Sequence, residues 1–233
     1  MCGRFTLTVT PEELQAAFPN FHIPPGLPPG YNIAPSQPVP VIPNDGENQL
    51  TFYKWGLIPP WAKDETFGGY NLINAKAETV AEKASFRSAY RRRRCLVLAD
   101  GFYEWREESS QGGKTPYYIH LKNKQPFAFA GLWEIWHSPY GDELHSCCII
   151  TTEPNAVVEP IHKRMPVILT PRAYDQWLSP EEQKPEQLDS LLVPYPAAEM
   201  TAHPVSSFVN SPRNNTPRCV QPVQLPNQLG MEI

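Results

Sequence analysis

Few charges and no long hydrophobic runs are found in this sequence of 233 residues. Charged residues make up 19% of the chain and hydrophobic residues 41%, a balance typical of a globular protein with a sizeable core. No apolar stretch is long enough to cross a bilayer and no signal peptide precedes Cys2, so we expect a cytoplasmic protein without a membrane partner. The 28 prolines are scattered among apolar runs and predict many turns and short helices.

The common motifs for cofactors and hydrolytic catalysis are also missing. The sequence has no G-x-G-x-x-G or G-x-x-x-x-G-K-S/T motif and no G-x-S-x-G or H-E-x-x-H motif. Cys147 and Cys148 are adjacent, and no C-x-x-C pair accompanies a matching histidine spacing. We therefore expect no disulfide framework, no structural zinc site and no cofactor. Cys95 and the 147–148 pair lie in apolar runs, which predict buried thiols.

Positive charge is concentrated in one place although the chain as a whole is acidic. The formal net charge of −4 argues against affinity for nucleic acid over the whole surface. Arg87 and the four consecutive arginines 91–94 nevertheless form a dense cluster directly before an apolar run. Such a run usually marks a solvated face, but a concentrated basic patch can also hold a phosphate backbone locally.

Local patterns predict four short helices along the chain. Thr10, with Pro11 at the first helical position and Glu13 three residues after the cap, predicts a capping box that opens a helix to about residue 18. Ser85 is predicted to cap a helix over 86–92. Two later helices are predicted at 171–177 and 185–192.

Strands are predicted between these helices. The runs 39–42 and 50–57 are separated by a turn signal, Asn44-Asp45-Gly46, which predicts a hairpin. Most of 95–152 alternates or runs apolar, as strands do. These patterns predict one α+β domain over 1–233, with a largely antiparallel, barrel-like sheet and peripheral short helices.

Cys2 becomes the N-terminus if Met1 is removed, as usually happens before a small residue. It then carries a thiol and a free α-amine on adjacent carbons. An α-amine with a pKa of about 7.7–8.0 is roughly 10–20% neutral at pH 7, far more than a lysine amine. Such an aminothiol attacks an aldehyde first through nitrogen and then through sulfur, closing a five-membered ring. Cys2 could instead act as a nucleophile with its own amine as base, or be an ordinary second residue.

Two titratable residues have sequence neighbours that are expected to shift their pKa values. Glu104 lies among aromatic residues in a predicted strand, surroundings that raise the pKa of a carboxyl toward neutrality and suit it to proton transfer. His162 lies in a loop beside Lys163 and Arg164, and these cations are expected to lower its pKa and favour neutral imidazole. A solvent-facing glutamate and an inert loop histidine are the alternatives.

Polar and aromatic groups elsewhere suggest a nucleic-acid site. Asn74 could hydrogen-bond a reactive amine or thiolate, or be a turn residue. Residues 55–61 place Trp55 and Trp61 around two prolines, where they could stack on nucleobases or pack in the core.

Taken in order, these segments resemble the SOS response-associated peptidase, or SRAP, family over most of the chain, most strongly over 2–205. The matching pieces are Met1-Cys2-Gly3-Arg4-Phe5, Tyr31-Asn32-Ile33-Ala34-Pro35, 55–61, 74–79, 100–105 and 161–169.

The resemblance implies an enzyme that senses abasic sites in single-stranded DNA. In this family the N-terminal cysteine forms a thiazolidine crosslink with the ring-opened sugar, which protects the lesion. Carried over by motif, Cys2 is the nucleophile, Asn74 positions its reactive groups, Glu104 shuttles protons and His162 acts on the sugar. The sequence does not indicate an oligomeric state, and a single-domain monomer is the simplest assumption. We expect association with the nucleoid when the protein acts on DNA, and the imine intermediate of this chemistry also allows a residual lyase activity.

The resemblance extends to candidate DNA-binding residues. Positions that line the DNA groove or support the site are matched by Arg4, Asn32, Trp55 and Trp61, and the expected cationic contacts are Lys76, Arg91 and Arg164. The family usually has arginine where this chain has Lys76, which loses the planar fork that grips a phosphate through two bonds. We hypothesise that the arginine run compensates.

Two other functions remain open from the sequence. One is a thiol peptidase that uses Cys2 and removes Met1 autocatalytically. The other is a non-covalent module for single-stranded DNA in which Cys2 is incidental.

Overall fold

Thirteen strands and four short α-helices make up the regular structure in the computed structural model, which describes residues 2–66, 72–108 and 113–224. The strands are β1 (Phe5–Leu7), β2 (Gly30–Ile33), β3 (Pro38–Pro43), β4 (Thr51–Trp55), β5 (Asn74–Lys76), β6 (Arg94–Ala99), β7 (Gly101–Glu107), β8 (Lys114–Leu121), β9 (Phe127–His137), β10 (Glu143–Thr152), β11 (Met165–Pro166), β12 (Ile168–Leu169) and β13 (Met200–Pro204). The helices are α1 (Pro11–Ala17), α2 (Arg87–Arg92), α3 (Tyr174–Trp177) and α4 (Pro185–Leu188).

Five strands close into a barrel. β3 pairs with β4 and β6, β6 pairs with β9, and β9 pairs with β10, all antiparallel. β10 then pairs with β4 in parallel, which closes the ring, and β5 adds to β10 in parallel. The predicted α+β class with a largely antiparallel, barrel-like sheet is therefore confirmed.

A second sheet covers the barrel, with the strand order β13-β8-β7-β1-β2. Its inner face contributes Phe5 and Phe102 to a buried cluster shared with barrel residues. The ring of Phe5 makes edge contacts with Trp55 at 5.2 Å and with Phe129 at 5.8 Å between centroids. This packing holds β1, which follows the N-terminal residues, against the barrel, and within its own sheet β1 lies between β7 and β2.

The helix and hairpin predictions are confirmed except for one cap. Thr10 forms the full capping box with Glu13 at the start of α1, and β3 and β4 form the predicted hairpin. Helix α2 begins without a side-chain cap: Phe86, not Ser85, occupies the N-cap position. The predicted helices at 171–177 and 185–192 are α3 and α4, each extended by one 3₁₀ turn.

The five cysteines are free and buried, as predicted for Cys95, Cys147 and Cys148. No helix in the described ranges is long and apolar enough to cross a membrane. Residues 225–233 of the predicted C-terminal segment, and Met1, lie outside the described residues. The single domain over 1–233 stays a prediction.

The arginine run does not form the continuous cationic patch that the sequence suggests. Arg94 is fully buried, and its guanidinium donates to the backbone carbonyls of Trp177, Tyr90, Arg91, Ser179 and Glu181. Arg93 pairs with buried Glu134 at 2.8 Å. Arg91 and Arg92 share the carboxylate of Glu182, at 2.6 and 2.9 Å. Two carboxylates therefore offset part of the charge of the run, and burial withdraws Arg94 from the surface.

Candidate active site around Cys2

Cys2 lies three residues before β1 with its side chain inside the protein. The residue is fully buried and belongs to the cluster between the two sheets, which includes Trp55 and Ile149. Its Sγ lies 3.9 Å from the carbonyl oxygen of Arg4. Burial, and secondly the charge of Glu104, raise the pKa of this thiol. A proton acceptor is therefore needed to generate the thiolate at neutral pH.

Asn74 makes a hydrogen bond to the backbone of Cys2. Strand β5 places it in parallel register with Ile149 of β10. Its Nδ2 donates to the carbonyl oxygen of Cys2 at 2.8 Å. Its Oδ1 is buried and accepts no hydrogen bond from any residue that the structure describes. A buried amide oxygen of this kind is an acceptor ready for an N–H group beside Cys2.

Glu104 lies in β7, opposite Tyr117 of β8. On the other side of β7, Phe102 pairs with Phe5 of β1 in antiparallel register, and extending this register by two residues places Glu104 beside Gly3. Alternation along β7 puts Glu104 on the inner face together with Phe102. Only 2% of the residue is exposed, and this burial raises the pKa of its carboxyl to about 7. The predicted shift toward neutrality is confirmed, and its cause is removal of the carboxylate from water.

His162 approaches the same carboxylate from the loop before β11. Its Nδ1 lies 3.9 Å from Glu104 Oε2 and within hydrogen-bond distance of the backbone of Arg164, 3.0 Å from the oxygen and 3.1 Å from the nitrogen. Burial is the main cause that lowers the pKa of this imidazole. The sequence analysis predicted a lowered pKa, and this direction is confirmed. It attributed the shift to the charges of Lys163 and Arg164, whereas the main cause is burial. A neutral imidazole beside a carboxyl with a pKa near 7 can exchange protons at neutral pH.

The raised pKa of Glu104 has a consequence for stability. A carboxyl whose folded pKa lies above its unfolded value stabilises the fold only while it is protonated, and this contribution is lost as pH rises through about 7. We expect Glu104→Gln to leave the free energy of unfolding unchanged near pH 4 and to raise it by up to about 3 kcal/mol at pH 8. Urea unfolding at both pH values measures this. Exposed Glu107 of the same strand gives the control variant, Glu107→Gln, and an equal gain at both pH values would contradict the prediction.

The two tryptophans of the 55–61 turn have different environments. Trp55 is fully buried, and its Nε1 donates to the carbonyl oxygen of Ile73 at 3.0 Å. A side chain with no exposed surface cannot stack on a base, so Trp55 supports the site from inside. Trp61 is 55% exposed, which leaves a large aromatic face at the surface.

Arg4 and Asn32 point away from Cys2, to the outer face of the second sheet. Arg4 Nη1 donates to Asn32 Oδ1 at 2.7 Å and to the carbonyl oxygen of Val209 at 2.9 Å. Asn32 is 2% exposed, with its amide group committed to protein partners. In this structure these residues support the segment between Cys2 and β1, and Asn32 has almost no surface to offer DNA.

The expected cationic contacts differ in their freedom to bind phosphate. Lys76 is exposed at the end of β5, two residues beyond Asn74. Arg164 is engaged by Glu78 through both Nη atoms and donates to the carbonyl oxygen of Thr151 at 2.5 Å. Arg91 is bound to Glu182. Sequence reasoning did not identify Glu78 as the partner of Arg164, because no local pattern links positions so far apart.

Comparisons with known proteins find relatives that match nearly the whole chain. The family model described as SOS response associated peptidase (SRAP) matches residues 1–212. The chain is 50% identical over 227 residues to the abasic site processing protein YoqW of Bacillus subtilis, covering 95% of this chain and 99% of that protein. It is 33% identical over 274 residues to the abasic site processing protein HMCES of Xenopus tropicalis, covering 99% and 81%. A crystal structure of a Bacteroides thetaiotaomicron protein superposes with a TM-score of 0.83 at 29% identity, covering 96% and 100%.

Proposed function

This chain belongs to the SOS response associated peptidase (SRAP) family, and from that premise we propose that it processes abasic sites in single-stranded DNA by forming a covalent crosslink through Cys2. Relatives at 50% and 33% identity carry the name abasic site processing protein. The observation that carries the proposal is the arrangement at Cys2, where Asn74 holds the backbone and a carboxyl with a pKa of about 7 lies beside the thiol.

The proposed reaction begins after Met1 is removed. The Cys2 amine attacks the aldehyde carbon of the ring-opened sugar and forms a C–N bond, and loss of one water molecule gives an imine. The Cys2 sulfur then attacks the imine carbon, and the proton of the thiol ends on nitrogen. The thiazolidine product requires no oxidant or cofactor. Because the second attack is intramolecular, it benefits from an effective molarity that can reach about 10⁵ M or more.

Three side chains assist these steps in the proposed mechanism. Asn74 Oδ1 accepts from the Cys2 amine and orients it toward the aldehyde. Glu104 takes the thiol proton and returns it to nitrogen, a role suited to a carboxyl with a pKa near the working pH. His162, kept neutral by burial, moves protons on the sugar and assists ring opening. Elimination from the imine gives the residual lyase activity.

The thiol environment favours this reaction over the peptidase alternative. A cysteine peptidase activates its nucleophile by lowering the pKa of the thiol. Burial has the opposite effect on Cys2. An aminothiol that reacts first through nitrogen does not need a preformed thiolate.

A denaturing gel tests the proposed function. The trimmed protein, verified by intact mass to lack Met1, is incubated with single-stranded DNA that carries one abasic site. We expect a slow-migrating covalent species that survives heating. Turnover of a peptide substrate without this species would favour the peptidase alternative.

DNA affinity is expected to depend on Trp61. Stacking of one base on an aromatic side chain contributes about 1–3 kcal/mol, so Trp61→Ala should weaken binding by about 5-fold to 150-fold. Fluorescence anisotropy with a non-reactive tetrahydrofuran abasic analogue measures the affinity without crosslinking. Phe52, 47% exposed on β4, provides the control variant Phe52→Ala, which should bind normally. Equal losses in both variants would show that the effect is not specific to Trp61.

A further inference from the structure

The C-terminal part of the described chain forms a strap over the outer face of the second sheet. The strap, residues 206–224, leaves the end of β13 and returns beside it, where Val205 pairs with Pro222 and the nitrogen of Val223 donates to the carbonyl oxygen of Pro204 at 3.0 Å. Between these points it packs Val209 and Cys219 against Tyr103 and other outer residues. The strap is thus a loop closed on β13, and it lies behind β7, which contains Glu104, and behind the segment that joins Cys2 to β1.

Asn32 is the main attachment point of this strap. Its Nδ2 lies within hydrogen-bond distance of three strap carbonyl oxygens, those of Val209 at 3.1 Å, Ser211 at 2.9 Å and Asn214 at 2.7 Å. Its Oδ1 accepts from Arg4, whose Nη1 also reaches the carbonyl oxygen of Val209. One buried amide therefore ties Arg4 and the strap together.

A second attachment lies beside Glu104. Trp105 follows it in β7 and points to the outer face, where its Nε1 donates to Asn210 Oδ1 at 2.8 Å. The guanidinium of Arg4 lies over the Trp105 ring, 5.7 Å from its centroid. Arg4 and Trp105 are therefore in contact with each other and with the strap.

Both attachments include a residue that lies within two positions of Cys2 or Glu104 in the sequence. Only Gly3 separates Arg4 from Cys2, and the carbonyl oxygen of Arg4 accepts both from the thiol of Cys2 and from the nitrogen of Tyr103. A displacement of Arg4 moves this acceptor and the backbone that carries the amine and the thiol. Trp105 is the direct neighbour of Glu104, so the strap holds both partners of the proposed proton transfer from behind.

We propose that the strap is a positioning device for the reaction: through Asn32 and Arg4, and through Asn210 and Trp105, it fixes the alignment of Cys2 with Glu104. This inference rests on the proposed function. A displacement of about 1 Å in reacting groups can cost about 100-fold in rate. In this proposal Arg4 and Asn32 are positioning residues, which is the supporting role that the family resemblance allows for them.

The variant Asn32→Asp keeps the hydrogen bond to Arg4 and removes the hydrogen bonds to the strap. The aspartate keeps an oxygen for Arg4 but places a second oxygen against the strap carbonyls, where it repels instead of donating. We expect the maximal rate of crosslinking at saturating abasic DNA to fall at least 10-fold while the affinity for the tetrahydrofuran analogue stays within 2-fold. Asn210→Ala, a milder change at an exposed position, should lower the maximal rate about 3-fold. Arg213→Ala, an exposed strap residue, is the matched control and should crosslink at the normal rate.

Hydrogen exchange gives a readout that does not depend on DNA. The amide of Tyr103 donates to Arg4, and we expect it to exchange faster in Asn32→Asp at a temperature where the protein stays folded. Unchanged exchange at Tyr103, an unchanged maximal rate, or a loss of affinity with a normal maximal rate would each overturn the positioning role. Failure of the wild-type protein to crosslink would refute the proposed function, and the exchange measurement would still decide whether the strap holds β1.

Discussion

Replacing Cys2 by alanine is expected to abolish the stable crosslink to abasic DNA. The variant retains an N-terminal amine, so an imine with the aldehyde still forms, but no sulfur is present to close the ring. An imine hydrolyses, whereas the thiazolidine persists because its second bond forms within one molecule. The heat-resistant band on a denaturing gel should therefore disappear, and reduction with borohydride should recover a band by trapping the imine.

Controls for this experiment come from the same chain. Cys148 of β10 is also a buried free thiol, in a different hydrophobic cluster from Cys2, and Cys148→Ala should crosslink as the wild type does. A protein whose N-terminus is blocked before Cys2 should form neither the thiazolidine nor the reducible imine. A heat-stable band that persists in Cys2→Ala would show that another nucleophile forms the bond and would contradict the mechanism.

Replacing Glu104 by glutamine is expected to slow crosslink formation by about 10²–10⁴-fold, the usual contribution of a positioned acid or base. The amide has nearly the same shape but cannot carry a proton between sulfur and nitrogen. Affinity for the non-reactive analogue should not change, because Glu104 is buried. Glu107→Gln, an exposed change in the same strand, should have little effect on the rate.

The pH dependence of the crosslinking rate distinguishes Glu104 from the α-amine of Cys2. As pH rises through about 7, Glu104 loses its proton and becomes able to accept one from the thiol, so the wild-type rate should increase there. The α-amine also loses its proton, at a pKa of about 7.7–8.0. Glu104→Gln should keep the inflection near 8 and lose the one near 7. A variant that keeps both inflections would exclude Glu104 as the proton carrier.

Local features of the fold could be predicted because neighbouring residues determine them. Thr10 and Glu13 satisfy backbone groups within one helical turn, and the turn before Leu50 joins adjacent strands. The cap of α2 was predicted wrongly because a serine near a helix start is only a local preference, which the packing of buried Phe86 overrides. Closure of the barrel depends on the parallel pairing of β10 with β4, which no local pattern specifies.

The candidate site was only partly accessible from the sequence. The aromatic neighbours of Glu104 already predicted a raised pKa, and an aminothiol at Cys2 follows from the order of the first residues. Their meeting with Asn74 and His162 was implied by the family resemblance and not by any spacing. The structure shows the contacts: Asn74 on the backbone of Cys2, and His162 within 3.9 Å of Glu104.

The sequence by itself determined the chemical groups available, the local helices and hairpin, and the aminothiol that a trimmed Cys2 would present. Only the tertiary structure decided which charges and polar groups remain free to act. It buried Arg94 among backbone carbonyls, and it committed Asn32 to the strap and Arg4 to Asn32 and the strap. The physical reason is that a polar side chain in the interior must satisfy its hydrogen bonds with whatever the fold brings near, and those partners are distant in the sequence.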